Sequence, residues 1–288
     1  MKNILHITSG DIAGDKLSKS EVPGEVFVWH DILYDGPRKV GWPNDSILRS
    51  RANFIGDTTG DGLSPDFVFK TFKHQYAKIK SISQYDKVVL WFDACLFDQS
   101  MLCHILMCLH FVKYDSVELL CIDKYPGIKP YNGLGQLSPE QLASRYNNRL
   151  PLTEDQFLFA LQVDRSFSMQ NQELFKELAT YKSAPLPWIP SAISRWLEEQ
   201  PDKKSGLGRL EQNALKAIHT GCNTAKAIYS YVAAMETLPQ FWGDTTLWEK
   251  INHLADMNPP LIKIEGPGDR LPQWHGKVDI NLFKIYPI

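Results

Sequence analysis

Four aspartates follow short apolar runs, and carboxylates in that position are the first feature of this chain with chemical promise. Asn3–Thr8 empties into Ser9-Gly10-Asp11, Val26–Trp29 into His30-Asp31, Val88–Phe92 into Asp93, and Val117–Ile122 into Asp123. Read as parallel neighbours in one sheet, these runs bring their ends to a common rim. Ligands of open parallel sheets bind in the crevice outside that rim. Crowded carboxylates repel one another unless a proton, an arginine or a cation separates them. Asp11, Asp31 and Asp93 are therefore candidates to hold a divalent cation or to act as general acid and base. The competing reading is that aspartate simply favours turns and helix N-caps after strands.

The Ser9-Gly10-Asp11-Ile12-Ala13-Gly14-Asp15 segment reads as a polar loop where a helix could begin. Ser9, Gly10 and Gly14 offer small side chains and backbone donors, the ingredients of an anion cradle. It is neither a dinucleotide-binding fingerprint nor a P-loop, and a tight turn capped by Asp11 explains it equally. Arg49 and Arg51 stand two apart, so on a helix they point to different faces. One of them can reach the acidic rim as an ion-pair partner or anion clamp; a solvated arginine is the alternative. In Asp93-Ala94-Cys95-Leu96-Phe97-Asp98-Gln99, Asp98 reads as the cap of the next helix, which leaves Asp93 free of that duty. His30, Asp98 and Gln99 complete the candidate ligand set. His104 and Cys108, four apart, share a helix face, but zinc needs two more ligands at a recognisable spacing, so both read as core. No Ser-His-Asp triad can be assigned, because its members are joined by geometry and not by order.

The elements that position these residues alternate between strand and helix. The four apolar runs read as buried parallel strands. Leu96–Val112 is apolar nearly all round, as expected of a buried helix crossing between two of them. Phe67, Phe69, Phe72 and Tyr76 recur at helical spacing within Arg49–Ile82. Tyr125-Pro126-Gly127 and Lys129–Gly135 form a long Gly/Pro loop. Ser138-Pro139-Glu140-Gln141 and Thr153-Glu154-Asp155-Gln156 then carry the capping-box signature of helix starts. Further helices are expected at Asn171–Tyr181 and Trp188–Glu199. After the polar break Gln200–Gly206, helices are expected at Gly208–His219, Thr224–Ala234 and Thr245–Met257. Strands at Leu261–Ile264 and Val278–Tyr286 complete a winged-helix outline.

The fold expected is α/β: a doubly wound, mainly parallel sheet, then a helical segment and a small winged-helix-like C-terminal domain. The expected domains are 1–135, with an acidic crevice, a helical extension over 136–200, and the winged-helix-like module over 201–288. At 288 residues the chain is long enough for two compact domains. A net charge of −2 argues against wrapping nucleic acid or anionic membrane by charge alone. From Ser205 to Ile288, eight Lys/Arg balance eight Asp/Glu, so DNA reading by the C-terminal module is not favoured. No apolar run is long enough for a membrane span, and the first residues lack a signal-peptide pattern. Five cysteines without a CxxC pair fit reduced thiols in a cytoplasmic protein.

His6-Ile7-Thr8-Ser9-Gly10-Asp11-Ile12-Ala13-Gly14, Pro23-Gly24-Glu25-Val26, Trp29–Leu33 with Gly36-Pro37, and Leu90–Asp93 with Leu96–Gln99 resemble the motifs of an uncharacterised bacterial domain-of-unknown-function family. Gly133–Leu142 is similar to that family's next block, and Gly206-Leu207 to the start of its companion domain. The resemblance implies the α/β architecture and the choice of site residues, and it supplies no mechanism. One departure stands out. In the family pattern Leu-Trp-Phe is followed by Glu-His-Asp, whereas here Asp93-Ala94-Cys95 follows, so a shortened acid is kept and a His and a second Asp are missing.

Two functions are compatible with these residues. In the first, the α/β domain binds or processes a phosphorylated or nucleotide-like small molecule, with a divalent cation as the cofactor such a rim would take. In the second, the chain is a regulatory or adaptor protein whose C-terminal module contacts a protein or DNA partner. A structural binding protein without chemistry is the remaining case.

Overall fold

The structure is a computed structural model in which residues 3–59, 62–273 and 278–288 are described. In chain order its first part comprises β1 (Ile4–Ser9), α1 (Asp11–Ser18), β2 (Glu25–Trp29), α2 (Asp45–Thr58), α3 (Pro65–Lys80), β3 (Lys87–Asp93), α4 (Leu96–Phe111) and β4 (Val117–Ile122). There follow α5 (Pro139–Arg145), β5 (Leu150–Pro151), α6 (Glu154–Met169), α7 (Gln172–Ala179) and α8 (Ile189–Glu198). The last part holds α9 (Arg209–His219), α10 (Ala225–Ala234), α11 (Asp244–Asp256), β6 (Ile262–Glu265) and β7 (Lys284–Pro287). The chain divides into two compact units, one of Met1–Arg51, Phe69–Arg195 and Leu238–Gln240, the other of Ala52–Val68, Trp196–Thr237 and Phe241–Ile288.

The sheet of the first unit runs in the order β2-β1-β3-β4-β5. The first four strands are parallel, as their unbroken apolar runs require, and only the two-residue β5 is antiparallel. Strand side chains alternate between faces. Val89 and Trp91 of β3, with Leu120 and Ile122 of β4, pack against Ala13 and Leu17 of α1 and Leu142 of α5. On the opposite face Trp29 meets Tyr76 of α3 and His104 of α4. Helices thus cover both faces. Because β1 lies between β2 and β3, the chain leaves β1 in one direction for β2 and returns past it for β3. The carboxyl ends of β1 and β3 therefore flank the point where strand order reverses.

Both predicted capping boxes are present. Ser138 accepts from the Gln141 N–H and Thr153 from the Gln156 N–H, while each glutamine reaches back to its cap. The expected Ser9–Asp15 loop, in contrast, is only a one-residue corner between β1 and α1. Gly10 takes φ 73°, a conformation open to glycine, and α1 starts at once with Asp11 as its first residue and Gly10 as its cap. Gly14 lies inside that helix against β2, where an added Cβ would stand 2.2 Å from Val28 Cγ2.

In the second unit, α9, α10 and α11 bury Leu210, Ala214, Ile218, Ile228, Leu247, Ile251 and Leu254 in one core with Ile262 and Ile285 of the β6–β7 hairpin. The last strand is shorter than its apolar run suggests, because Ile280–Leu282 forms a 3-10 turn held by the Asp279 carboxylate. Residues 274–277, in the expected Gly/Pro turn before it, lie outside the described residues, as do 60 and 61 within Arg49–Ile82. No helix among the described residues is long and apolar enough to cross a membrane.

Candidate functional site

Two buried carboxylates sit at the carboxyl ends of β1 and β3. Asp93 ends β3 and is 5% exposed; Asp98, in the first turn of α4, is 2% exposed. The Asp93 N–H donates to Asp98 Oδ2 at 2.6 Å, and the Cys95 N–H donates to Asp93 Oδ1 at 2.8 Å. The Ser9 hydroxyl, from the end of β1, donates to Asp98 Oδ1. Gln99 Nε2 donates to the Asp93 carbonyl at 2.6 Å and reaches Cys121 Sγ on β4 at 3.5 Å, while its Oε1 has no partner among the described residues. Asp98 consequently does not cap α4, whose N-cap is Cys95; its carboxylate instead ties β1 to β3 across the reversal point.

Burial pushes the Asp93 carboxyl above the usual carboxylate range. Burial, and then the charge of Asp93, push Asp98 up further. No lysine or arginine bonds to either carboxylate among the described residues. Elsewhere in this unit, buried aspartates receive an arginine. Asp31 accepts from Arg51 Nε at 3.1 Å and Nη2 at 2.5 Å, and Asp164 pairs with Arg38. Asp93 and Asp98 lack that solution, so a shared proton or a cation must relieve their repulsion. Ligand atoms of Asp93, Cys95 and Asp98 lie within 4.8 Å of one another and could hold a divalent cation. Two oxygens and a sulfur suit Zn²⁺ better than Mg²⁺, which prefers oxygen alone.

Beside this pair, beyond the end of β4, opens a cleft of ≈ 780 Å³. Cys121 and Tyr131 belong to both places: they line the cleft, and the charges of Asp93 and Asp98 bear on their ionisation. Tyr131 is only 6% exposed and its hydroxyl has no partner among the described residues. Burial and then the charge of Asp93 keep that phenol protonated, a donor without an acceptor. Lys124, Lys129 and Arg145 line the same cleft, with Asp123 its only carboxylate among the described residues. The Arg145 guanidinium lies 4.7 Å over the Tyr125 ring.

The sequence-derived candidates fall into separate groups. Ser9, Asp93, Asp98 and Gln99 come together. Asp11 is exposed at the head of α1 and pairs with His30 Nε2 at 2.7 Å. Asp31 is committed to Arg51, which also donates to the carbonyls of Ile32, Asp35 and Pro37 and so pins the turn after β2. Arg49 lies 4.0 Å over the Phe69 ring. Gly10 and Gly14 serve the corner and the close packing of α1. His104 and Cys108 are buried, their Nε2 and Sγ 3.7 Å apart. Tyr131 and the three cations of the cleft escaped sequence reasoning. Their signal was Lys124-Tyr125-Pro126-Gly127-Ile128-Lys129-Pro130-Tyr131, basic and aromatic residues set in a Gly/Pro loop just past a strand end. The chain matches no family model, and no curated protein sequence matches it.

Proposed function

We propose that the first unit binds or processes a phosphorylated or nucleotide-like ligand at the carboxyl edge of its sheet, with Asp93 and Asp98 at the centre. The observation that supports this reading is the buried carboxylate pair without a basic partner, at the strand-order reversal where open α/β sheets take their ligands. Two carboxyls sharing one proton make a general acid and a general base of the same residue type. A divalent cation taken between them would instead present its positive charge to a phosphoryl oxygen. The resemblance to an uncharacterised family, proposed from the sequence, points to the same residues, since the Leu-Trp-Phe-Asp and Phe-Asp-Gln blocks contain both acids.

Thermal unfolding followed with AMP, ATP and inorganic phosphate, each alone and with Zn²⁺, Mg²⁺ or Mn²⁺, tests the reading. A ligand at 100 times its Kd stabilises the native state by about 2.7 kcal/mol. At least one combination is expected to raise the melting temperature of the wild type, and Asp93→Asn to lose that rise. An unmoved wild type, or an Asp93→Asn protein that shifts equally, overturns the proposal.

A further inference from the structure

The cleft beside the carboxylate pair has a charge pattern of its own. Three cations, Lys124, Lys129 and Arg145, face one carboxylate, Asp123. Neither lysine makes an ion pair or hydrogen bond among the described residues, and the Arg145 guanidinium is spread over the Tyr125 ring, not spent on a carboxylate. Unpaired cations around a concavity focus a positive potential into it. The remaining walls are mostly apolar and the volume of ≈ 780 Å³ lies within the range of small-molecule sites.

The second observation is Tyr131. Tyr131 lines this cleft, and its hydroxyl, fully buried, has no hydrogen-bond partner among the described residues; buried polar groups are rarely left so. A phenol O–H is both donor and acceptor, but burial, and then the neighbouring Asp93 charge, keep the proton on oxygen and so leave the group a donor. The acceptor that completes the site is an anionic oxygen, for a negatively charged acceptor strengthens such a bond. Tyr125, held under Arg145, adds a flat apolar surface of the kind on which a ring can rest.

We propose that this cleft is the anion subsite of the first unit: it takes a phosphate monoester of mononucleotide size, whose phosphate is held by Lys124, Lys129 and Arg145 and receives a hydrogen bond from the Tyr131 hydroxyl once a small turn of that ring brings it to the cleft surface. The proposal rests on reading the sheet's carboxyl edge as the ligand site. It moves the phosphate from the start of α1 to the far side of β4. Tyr131 joins the two regions, because the hydroxyl that meets the phosphate also lies within reach of the Asp93 charge.

Isothermal titration of the full chain with AMP, adenosine and inorganic phosphate provides the test, using Lys124→Ala/Lys129→Ala, Arg145→Ala, Tyr131→Phe and Asp93→Asn. AMP is expected to bind the wild type more tightly than adenosine, and affinity to fall with added salt. The double lysine variant and Arg145→Ala should each weaken AMP at least tenfold. Tyr131→Phe should weaken it about tenfold while raising the melting temperature of the free protein, since it removes a buried hydroxyl that has no partner among the described residues. A Tyr131 of purely structural use would leave the AMP affinity unchanged. If the cleft variants bind AMP as the wild type does while Asp93→Asn does not, the subsite is refuted and the carboxylate centre stands. If the cleft variants lose AMP and Asp93→Asn keeps it, the subsite stands and the carboxylate centre falls. Equal affinity for AMP and adenosine refutes the subsite outright.

Discussion

Asp98 is where local stability and the proposed chemistry oppose each other. It is buried, faces the Asp93 charge, and accepts from the Ser9 hydroxyl and the Asp93 N–H. Its pKa is raised in the folded protein, so its contribution to stability is complete below the unfolded carboxylate pKa and is lost as pH rises towards the folded value. Asparagine does not titrate. Its oxygen can accept from the Asp93 N–H, and its NH₂ can donate to a Ser9 hydroxyl turned the other way. Asp98→Asn is therefore expected to melt higher than the wild type at pH 7, with the gap narrowing steadily towards pH 4. A constant gap, or a destabilised variant at pH 7, would show that the carboxyl is comfortable in its charged form. Arg51 marks the contrast, since it gives Asp31 a bidentate partner and three nearby carbonyls the remaining donors.

At the scale of elements, α1 is set by two glycines with different duties. Gly10 supplies the backbone turn that lets the helix begin one residue after β1 ends. Gly14 supplies the close approach, with no room for a methyl group between α1 and Val28. Gly14→Ala must turn the stiff Val28 side chain out of its place or push α1 off β2, and overpacking of this kind costs about 1–3 kcal/mol. Urea unfolding is expected to show that loss, although alanine is the better helix former by about 1 kcal/mol. An unchanged or raised midpoint would mean that α1 is free to lift. Helix starts were legible in advance where side chains make them, as at Ser138 and Thr153. The start of α1 was not, because a glycine in a left-handed conformation has no side chain to announce it.

For the molecule as a whole, the buried network of α3, α4 and α6 sets an acid limit. Asp164 receives Arg38, and His104 joins it through Nδ1 at 2.9 Å while Tyr76 meets His104 Nε2 at 2.6 Å. Burial lowers the histidine pKa, so the ring is neutral, with Nδ1–H donating to Asp164 and Nε2 accepting from the Tyr76 hydroxyl. Burial opposes the Asp164 charge, but Arg38 and His104 outweigh it and hold the carboxyl down to about 2. A depressed carboxylate contributes stability above its unfolded pKa and loses it as pH falls through the folded one. Asp164 should therefore contribute about 2 kcal/mol at neutral pH, lost between about pH 4 and pH 2. The ¹³C shift of its carboxyl carbon is expected to stay flat down to about pH 3. A midpoint near pH 4 would remove this group as a cause of acid unfolding.

The sequence by itself determined the elements and their order. Strand runs, helix periods, capping boxes and Gly/Pro breaks are encoded within a few residues, and they predict the parallel sheet and the three helices with a hairpin behind it. It also singled out Ser9, Asp93, Asp98 and Gln99. Tertiary structure alone decided which acids meet. The strand order β2-β1-β3-β4 sets Ser9 beside Asp98, the turn after β2 gives Asp31 to Arg51, and Asp11 remains at the surface with His30. Partner choice depends on strand order and on the direction of each last residue, and neither is written in local spacing. Tyr131 shows the same limit: its type is visible in the chain, but its unpartnered hydroxyl exists only once the loop is folded against the carboxylate pair.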